Sequence, residues 1–408
     1  MAYGSEQDRI GALLARLCAA PDADFGPDFE ALAAQGWAQL VDRAISKRVG
    51  LLVDRAVRRA GAETLVPAPA REALDDEARS AAMSSFGHMI GLSEAVRFLE
   101  AQGISPIALK GARLAFNDYP EPQLRRLRDL DLLVPADRAE HAQQAMIESG
   151  IYEVAEWSAF YGIEFGHQLP ELTDLQRGIS LEIHHRLNAR DWAEEPQLVR
   201  MVHEHAEEIV VAGTAVRVPS MHANLLHLVE HATLHHLFEN GPITLADLHF
   251  AAMKGPVDWE VLIDQARQMG LERALRLIAM LALSYGASWV PPALRDPAPD
   301  LAAHLAASRA AMLRDESQFE HAFMMRGLIM RKGRAPGWKA ALRAAVTPTP
   351  LILAGMMRVS GDNPLRWLAY PVWLVQRGRA YLAARRARVD QDALMQEVST
   401  LRWLRGSS

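Results

Sequence analysis

The sequence predicts an α+β protein in which a small mixed-sheet α/β core is flanked by N-terminal and C-terminal helical domains. Three observations predict it. Residues 28–103 are rich in Ala, Leu and Arg at helical spacing. From 104 to 220 that spacing gives way to short apolar, β-branched runs punctuated by Gly and Pro. Beyond Ser220 helical spacing returns and holds almost to the end. The chain accordingly divides into an N-terminal helical region (1–103), an α/β core (104–220), a helical domain (221–345) and a basic C-terminal helical arm (346–408).

Taken in order, residues 28–103 hold about three helices, the longest over 70–102. Residues 105–109 are short and apolar and run into Lys110-Gly111, which reads as a buried strand ending in a tight turn. A brief helix over 112–117 ends at the loop Tyr119-Pro120-Glu121-Pro122, and 130–134 is a second strand. Pro135 opens a helix that Gly150 closes. A looser extended region reaches Leu172, a strand covers 179–187, and 209–218 form a hairpin about Ala212-Gly213-Thr214. Helices are then expected over 221–238, 244–254, 259–269, 271–285 and 302–325, with further ones up to Trp403.

The bulk numbers narrow the function. With 408 residues, half of them hydrophobic, the chain can bury a sizeable core. A lone cysteine, Cys18, excludes an internal disulfide framework and suits a reducing cytosol, where its default role is a buried structural thiol. The first nine residues lack the basic-then-apolar layout of a secretory signal, and no apolar run nears the roughly 18 to 20 residues that span a bilayer. The expected location is therefore cytoplasmic, with a peripheral membrane contact still open. The net charge of −6 conceals an asymmetry: 13 Lys and Arg stand against one acid, Asp362, between 326 and 388, while 29 basic and 46 acidic residues precede 326. That basic arm either packs on the acidic body or meets a partner such as a membrane surface or RNA. Trp367, Tyr370, Trp373 and Tyr381 interleave with its arginines, which suits either contact, although tryptophans at helical spacing usually face a core.

The chemistry concentrates in Arg125-Arg126-Leu127-Arg128-Asp129-Leu130-Asp131-Leu132-Leu133-Val134. On a strand, Asp129 and Asp131 share one face while Leu130, Leu132 and Val134 turn into the core. Two carboxylates so close are unfavourable unless a cation neutralises them, and hard oxygen donors favour Mg2+ or Mn2+; the alternative is a strand end with two solvent-exposed acids. In the second strand, Ile179, Leu181, Ile183 and Leu187 share the apolar face, with Glu182, His184 and Arg186 on the other. A lone acid on that face, Glu182 reads either as a third metal ligand or, equally, as the solvent face of an antiparallel strand, and His184 could touch a phosphate or the acceptor. His185, on the opposite face, reads as a satisfied core histidine. The glycine turn at Lys110-Gly111 would let backbone amides approach an anion, and Lys110 with Arg125, Arg126 and Arg128 could meet a triphosphate.

These segments, together with Tyr119-Pro120 and Leu225-Leu226-His227, resemble the family of uncharacterised bacterial nucleotidyltransferases in the DNA polymerase beta superfamily. The similarity covers about 104–252. It implies a short mixed sheet with helices and a two-metal transfer of a nucleotidyl group, most simply AMP from ATP, to an acceptor that could be a small molecule, peptide or protein. Asp129 and Asp131 would hold both ions, with Glu182 on the one that activates the acceptor hydroxyl. Where the superfamily usually has Gly-Gly or Gly-Ser, this chain has Lys110-Gly111, followed by a longer gap to Asp129. That departure keeps open a nucleotide- or partner-binding module without turnover. A third reading comes from His227-Leu228-Val229-Glu230-His231, an inverted zinc-peptidase pattern, with Glu316 or Glu320 available downstream as the third ligand.

Overall fold

The computed structural model describes residues 6–155, 166–188, 192–296, 301–315, 318, 319, 322, 325, 326, 329, 346–348, 350–357, 359, 362–386 and 391–406. Five helices precede the sheet: α1 (Glu6–Ala19), α2 (Gly26–Glu30), α3 (Ala34–Ser46), α4 (Gly50–Arg59) and α5 (Ala68–Ala101). α1 and the start of α2 thus precede the helices read from position 28 onward, within the N-terminal region of 1–103. In α1, Ile10, Leu13, Leu14 and Leu17 recur at the spacing that forms one apolar face, and all are buried. Cys18 is buried beside them, and desolvation pushes its thiol well above the ordinary range, as suits a structural rather than a reactive cysteine.

The long α5 ends at Gly103, whose φ of +69° a glycine adopts without steric cost. Beyond it lie β1 (Ile107–Ala108), α6 (Lys110–Arg113), a five-residue π-turn (Leu114–Asp118), β2 (Asp129–Leu133), α7 (Ala139–Glu148), β3 (Tyr152–Val154), β4 (Leu172–Asp174), β5 (Ser180–His184), α8 (Glu195–Glu204), β6 (Glu207–Val211) and β7 (Thr214–Val218). The strand expected over 105–109 shrinks to two paired residues because α6 begins at once after Leu109. Of the looser extended region, 156–165 lie outside the described residues, while β4 is an added strand there. The hairpin turns at Ala212 and Gly213, with φ of +47° and +79°.

The seven strands form one mixed sheet in the order β3-β4-β5-β2-β1-β7-β6. β2 runs parallel to β5, with Asp131 opposite Glu182 and Asp129 opposite Ser180. β1 is antiparallel to β2 and parallel to β7. Successive side chains separate into two cores. Leu130, Leu132, Leu181 and Ile183 pack with Leu92, Val96 and Leu99 of α5 and with Ala142 and Met146 of α7. Ile107, Leu109, Leu133 and Leu187 instead join the helical body. Each fully buried leucine contributes about 2 to 3 kcal/mol, so a one-residue slip of β2, which would exchange its two faces, is strongly disfavoured.

The helical body continues with α9 (Met221–Glu230), a second π-turn (His231–His235), α10 (Ile243–Met253), α11 (Trp259–Gln268), α12 (Glu272–Ser284) and α13 (Leu301–Leu313). The helix expected over 302–325 thus stops at 313 as a continuous element, and later residues are described only in part. Helices at Pro350–Met357, Tyr370–Arg386 and Gln391–Leu404 follow. Arg314 and Arg326 both pair with Glu239 and Glu397, so the start of the basic arm is tied to acidic partners. Farther along, Trp373 is buried and stacks with Tyr370, whereas Trp367, Leu368, Val372 and Val375 are exposed. Packing thus accounts for one of those tryptophans only. Among the described residues no helix is long and apolar enough to cross a membrane.

Candidate active site

The acid-bearing face of β2 and β5 looks toward the helical body rather than open solvent. Between the two lies a cleft of about 660 Å³ lined by Asp129, Asp131 and Glu182 from the strands and by Lys110, Gly111, Arg125 and Arg128 from the segments around them. His231, His235, His236 and Asp247 close the opposite wall. Parallel pairing sets Asp131 and Glu182 side by side at the ordinary strand spacing.

Asp131 is the most tightly held of the acids. Its Oδ1 accepts from Lys110 Nζ at 3.1 Å and lies 2.8 Å from His184 Nε2, which is also 3.1 Å from Glu182 Oε2. His184 Nδ1 faces the Arg186 carbonyl at 3.4 Å, so acceptors stand on both sides of a fully buried ring. Burial and the Lys110 charge oppose its protonation, but the bonds with Asp131 and Glu182 outweigh them and hold its pKa above the ordinary imidazole value. Burial likewise opposes ionisation of Asp131, and there too Lys110 and His184 win, keeping the carboxyl well below its usual range. Asp129 behaves oppositely. Desolvation first, and then the charges of Asp131 and Glu182, push its carboxyl up to about 6.

The donor set of oxygens fits a divalent metal, and the raised Asp129 carboxyl marks anions crowded without enough countercharge, which a divalent cation would supply. The three acids line one cleft, but the donor atoms within 4.8 Å of one another belong to Asp131, Glu182 and His184. The histidine expected to contact phosphate or acceptor is thus part of the carboxylate cluster itself. His185 is buried as expected, yet its Nε2 has no partner, so it is not satisfied.

The expected phosphate-binding residues separate. Arg125 is committed to Asp247 through a two-pronged pair at 2.7 and 3.1 Å, and Tyr119 Oη bonds the same carboxylate at 2.7 Å. Arg126 turns away to Glu77 at 2.5 Å and Ser80 at 3.1 Å, outside the cleft lining. Arg128 remains exposed at the rim. The glycine turn also differs in kind. Lys110 carries the left-handed backbone, with φ of +40°, whereas Gly111 sits in close quarters, where a Cβ would lie 2.7 Å from Leu127 Cδ2 and force that side chain to shift.

Several lining residues escaped sequence reasoning. Lys47 and Arg48 arrive from the end of α3, far from the core in sequence. Arg48, with φ of +60°, makes no ion pair among the described residues, and burial together with Arg125 and Arg128 lowers its pKa to about 10. Asp247 had a usable signal, a lone acid within the apolar helix α10, whereas nothing marked His167. The His167 ring lies 5.4 Å from His184 and 5.6 Å from His235, and burial holds its pKa far down. The inverted zinc-peptidase pattern is broken up: Glu230 is fully buried and accepts from Asn188, and the His227 and His231 rings are 6.1 Å apart. Glu316 and Glu320, its downstream third ligands, lie outside the described residues.

A family model described as "Uncharacterised nucleotidyltransferase" matches residues 33–285, more than half of the chain. No curated protein matches it.

Proposed function

The chain belongs to the family of uncharacterised nucleotidyltransferases, and from that premise we propose that it transfers AMP from ATP to an acceptor hydroxyl or amine in the cleft between β2, β5 and the helical body. The observation that carries the proposal is the register of β2 on β5, which sets Asp131 beside Glu182, two residues along from Asp129 on the same face. These three acids would hold Mg2+, with Mn2+ as a substitute, and the bound ions would supply charge neutralisation at the α-phosphate and a more acidic acceptor hydroxyl. The chain's own residues orient and select. Lys110 and His184 fix the Asp131 carboxylate in one orientation, so little of its freedom is lost on binding. Arg48 in the cleft lining and Arg128 at the rim present cationic groups that a triphosphate would meet. Arg125, tied to Asp247, supports the loop that carries Arg128, and Arg126 anchors the same loop to α5.

Magnesium-dependent release of pyrophosphate from ATP, with mass spectrometry of the proteins, peptides and small molecules that gain AMP, tests the assignment. No pyrophosphate with any nucleoside triphosphate across such acceptor mixtures would sink it. The specific observation favouring a nucleotide-binding module without turnover is that Lys110 and His184 already neutralise Asp131. Calorimetric binding of a nonhydrolysable triphosphate without product would select that second reading.

Residues 364–386 suit an anionic bilayer surface better than RNA. Leu365, Trp367, Leu368, Val372, Val375 and Leu382 are exposed there, and no acid lies between Asp362 and Asp390. The full chain is expected to float with vesicles containing phosphatidylserine and to stay behind with phosphatidylcholine alone. Equal behaviour with both would remove the membrane as partner.

A further inference from the structure

The second π-turn places three imidazoles together on the cleft wall. His231, His235 and His236 each offer a ring nitrogen, and these nitrogens lie within 4.8 Å of one another. The ring centroids of His231 are 5.2 Å from those of His235 and 4.4 Å from those of His236, and the latter two stack at 4.5 Å. In an α-helix the fifth residue onward is carried away round the axis; an i→i+5 turn instead brings residues 235 and 236 to either side of 231. The turn is closed by His236 N–H donating to the His231 carbonyl at 3.1 Å.

The backbone holds this arrangement against a cost. Leu237 and Phe238 follow immediately with φ of +44° and +63°, a left-handed conformation that bulky residues rarely adopt. Both side chains are buried, so their packing stabilises the turn despite the strain. Within the trio, the buried Nδ1 of His231 meets no hydrogen-bond partner among the described residues. All three rings line the cleft, so an ion held by them keeps an open side for a further ligand.

We propose that His231, His235 and His236 form a binding site for a transition-metal ion of the zinc class, separate from the carboxylate cluster. Imidazole nitrogens suit zinc, copper or nickel and are poor partners for magnesium, so the two sites differ in the ions they select. Three protein nitrogens leave a coordination position facing the cleft, open to water or to an oxygen of the acceptor. The pattern is not the zinc-peptidase one: His227 lies outside the trio and Glu230 is committed to Asn188.

Cobalt titration of the chelator-stripped full chain tests this without reading nucleotidyl transfer. One equivalent of Co2+ is expected to give the intense visible absorption of a low-coordinate, nitrogen-ligated ion, and Zn2+ should displace it. His235→Ala and His236→Ala should each weaken binding at least tenfold while circular dichroism and thermal unfolding show an intact fold, and Asp129→Asn should leave the band unchanged. Absence of the band, a band indifferent to both histidine variants, or one lost with Asp129→Asn would overturn the proposal. Because Asp129→Asn is expected to impair transfer severely and keep the cobalt band, failure of one assignment is distinguishable from failure of the other.

Discussion

Asp129→Asn is expected to reduce magnesium-dependent pyrophosphate release by roughly a thousandfold, about 4 kcal/mol of barrier, while leaving the fold as stable as before or more so. The two effects have separate causes. Catalysis in nucleotidyl transfer is mostly positioning and neutralisation of charge, so a ligand that can no longer carry a full negative charge loses much of its value. Stability responds in the other direction because Asp129 is crowded by Asp131 and Glu182, and the isosteric amide removes one of three neighbouring anions. Steady-state assays paired with thermal unfolding of metal-free protein check both halves. A variant with full activity would remove Asp129 from the reaction; one that is merely unfolded would say nothing of chemistry, so Asp131→Asn, at the adjoining ligand, provides the control.

Arg113→Met should destabilise the protein by about 3 to 5 kcal/mol, read as a fall in the urea midpoint. Arg113 is fully buried in the short helix after β1, paired with the equally buried Asp118 at 3.2 Å and bonded to the Pro219 carbonyl. Among the described residues, removing the guanidinium leaves Asp118 with the Asn117 and Asn224 amides as side-chain donors, and a buried charge stripped of its partner costs far more than the pair contributes. The double change Arg113→Met/Asp118→Leu should therefore recover part of the loss. If the single variant unfolds at the wild-type midpoint, the pair is not buried as described.

The cleft residues show where sequence reasoning reached and where it stopped. The two-residue period of strands put Asp129 and Asp131 on one face and Leu130 and Leu132 on the other, and the observed burial follows that division. Glycines placed the ends of α5, α7 and the hairpin turn within a residue or two. The arginines were harder. Arg125, Arg126 and Arg128 look equivalent along the chain, yet Asp247 takes the first, Glu77 the second and the cleft rim the third. Their partners lie 122 and 49 residues away, and no local pattern encodes which acid will arrive.

By itself the sequence determined the order of elements and the shared face of the acids, because hydrophobic period and turn residues act over a few neighbours at a time. Only the tertiary structure decided which charges meet. It brought Glu182 beside Asp131, closed His184 and Lys110 over them, and withdrew Arg125 and Arg126 into ion pairs. Electrostatic partnership depends on distance in space and on burial, and both are set by how remote segments pack.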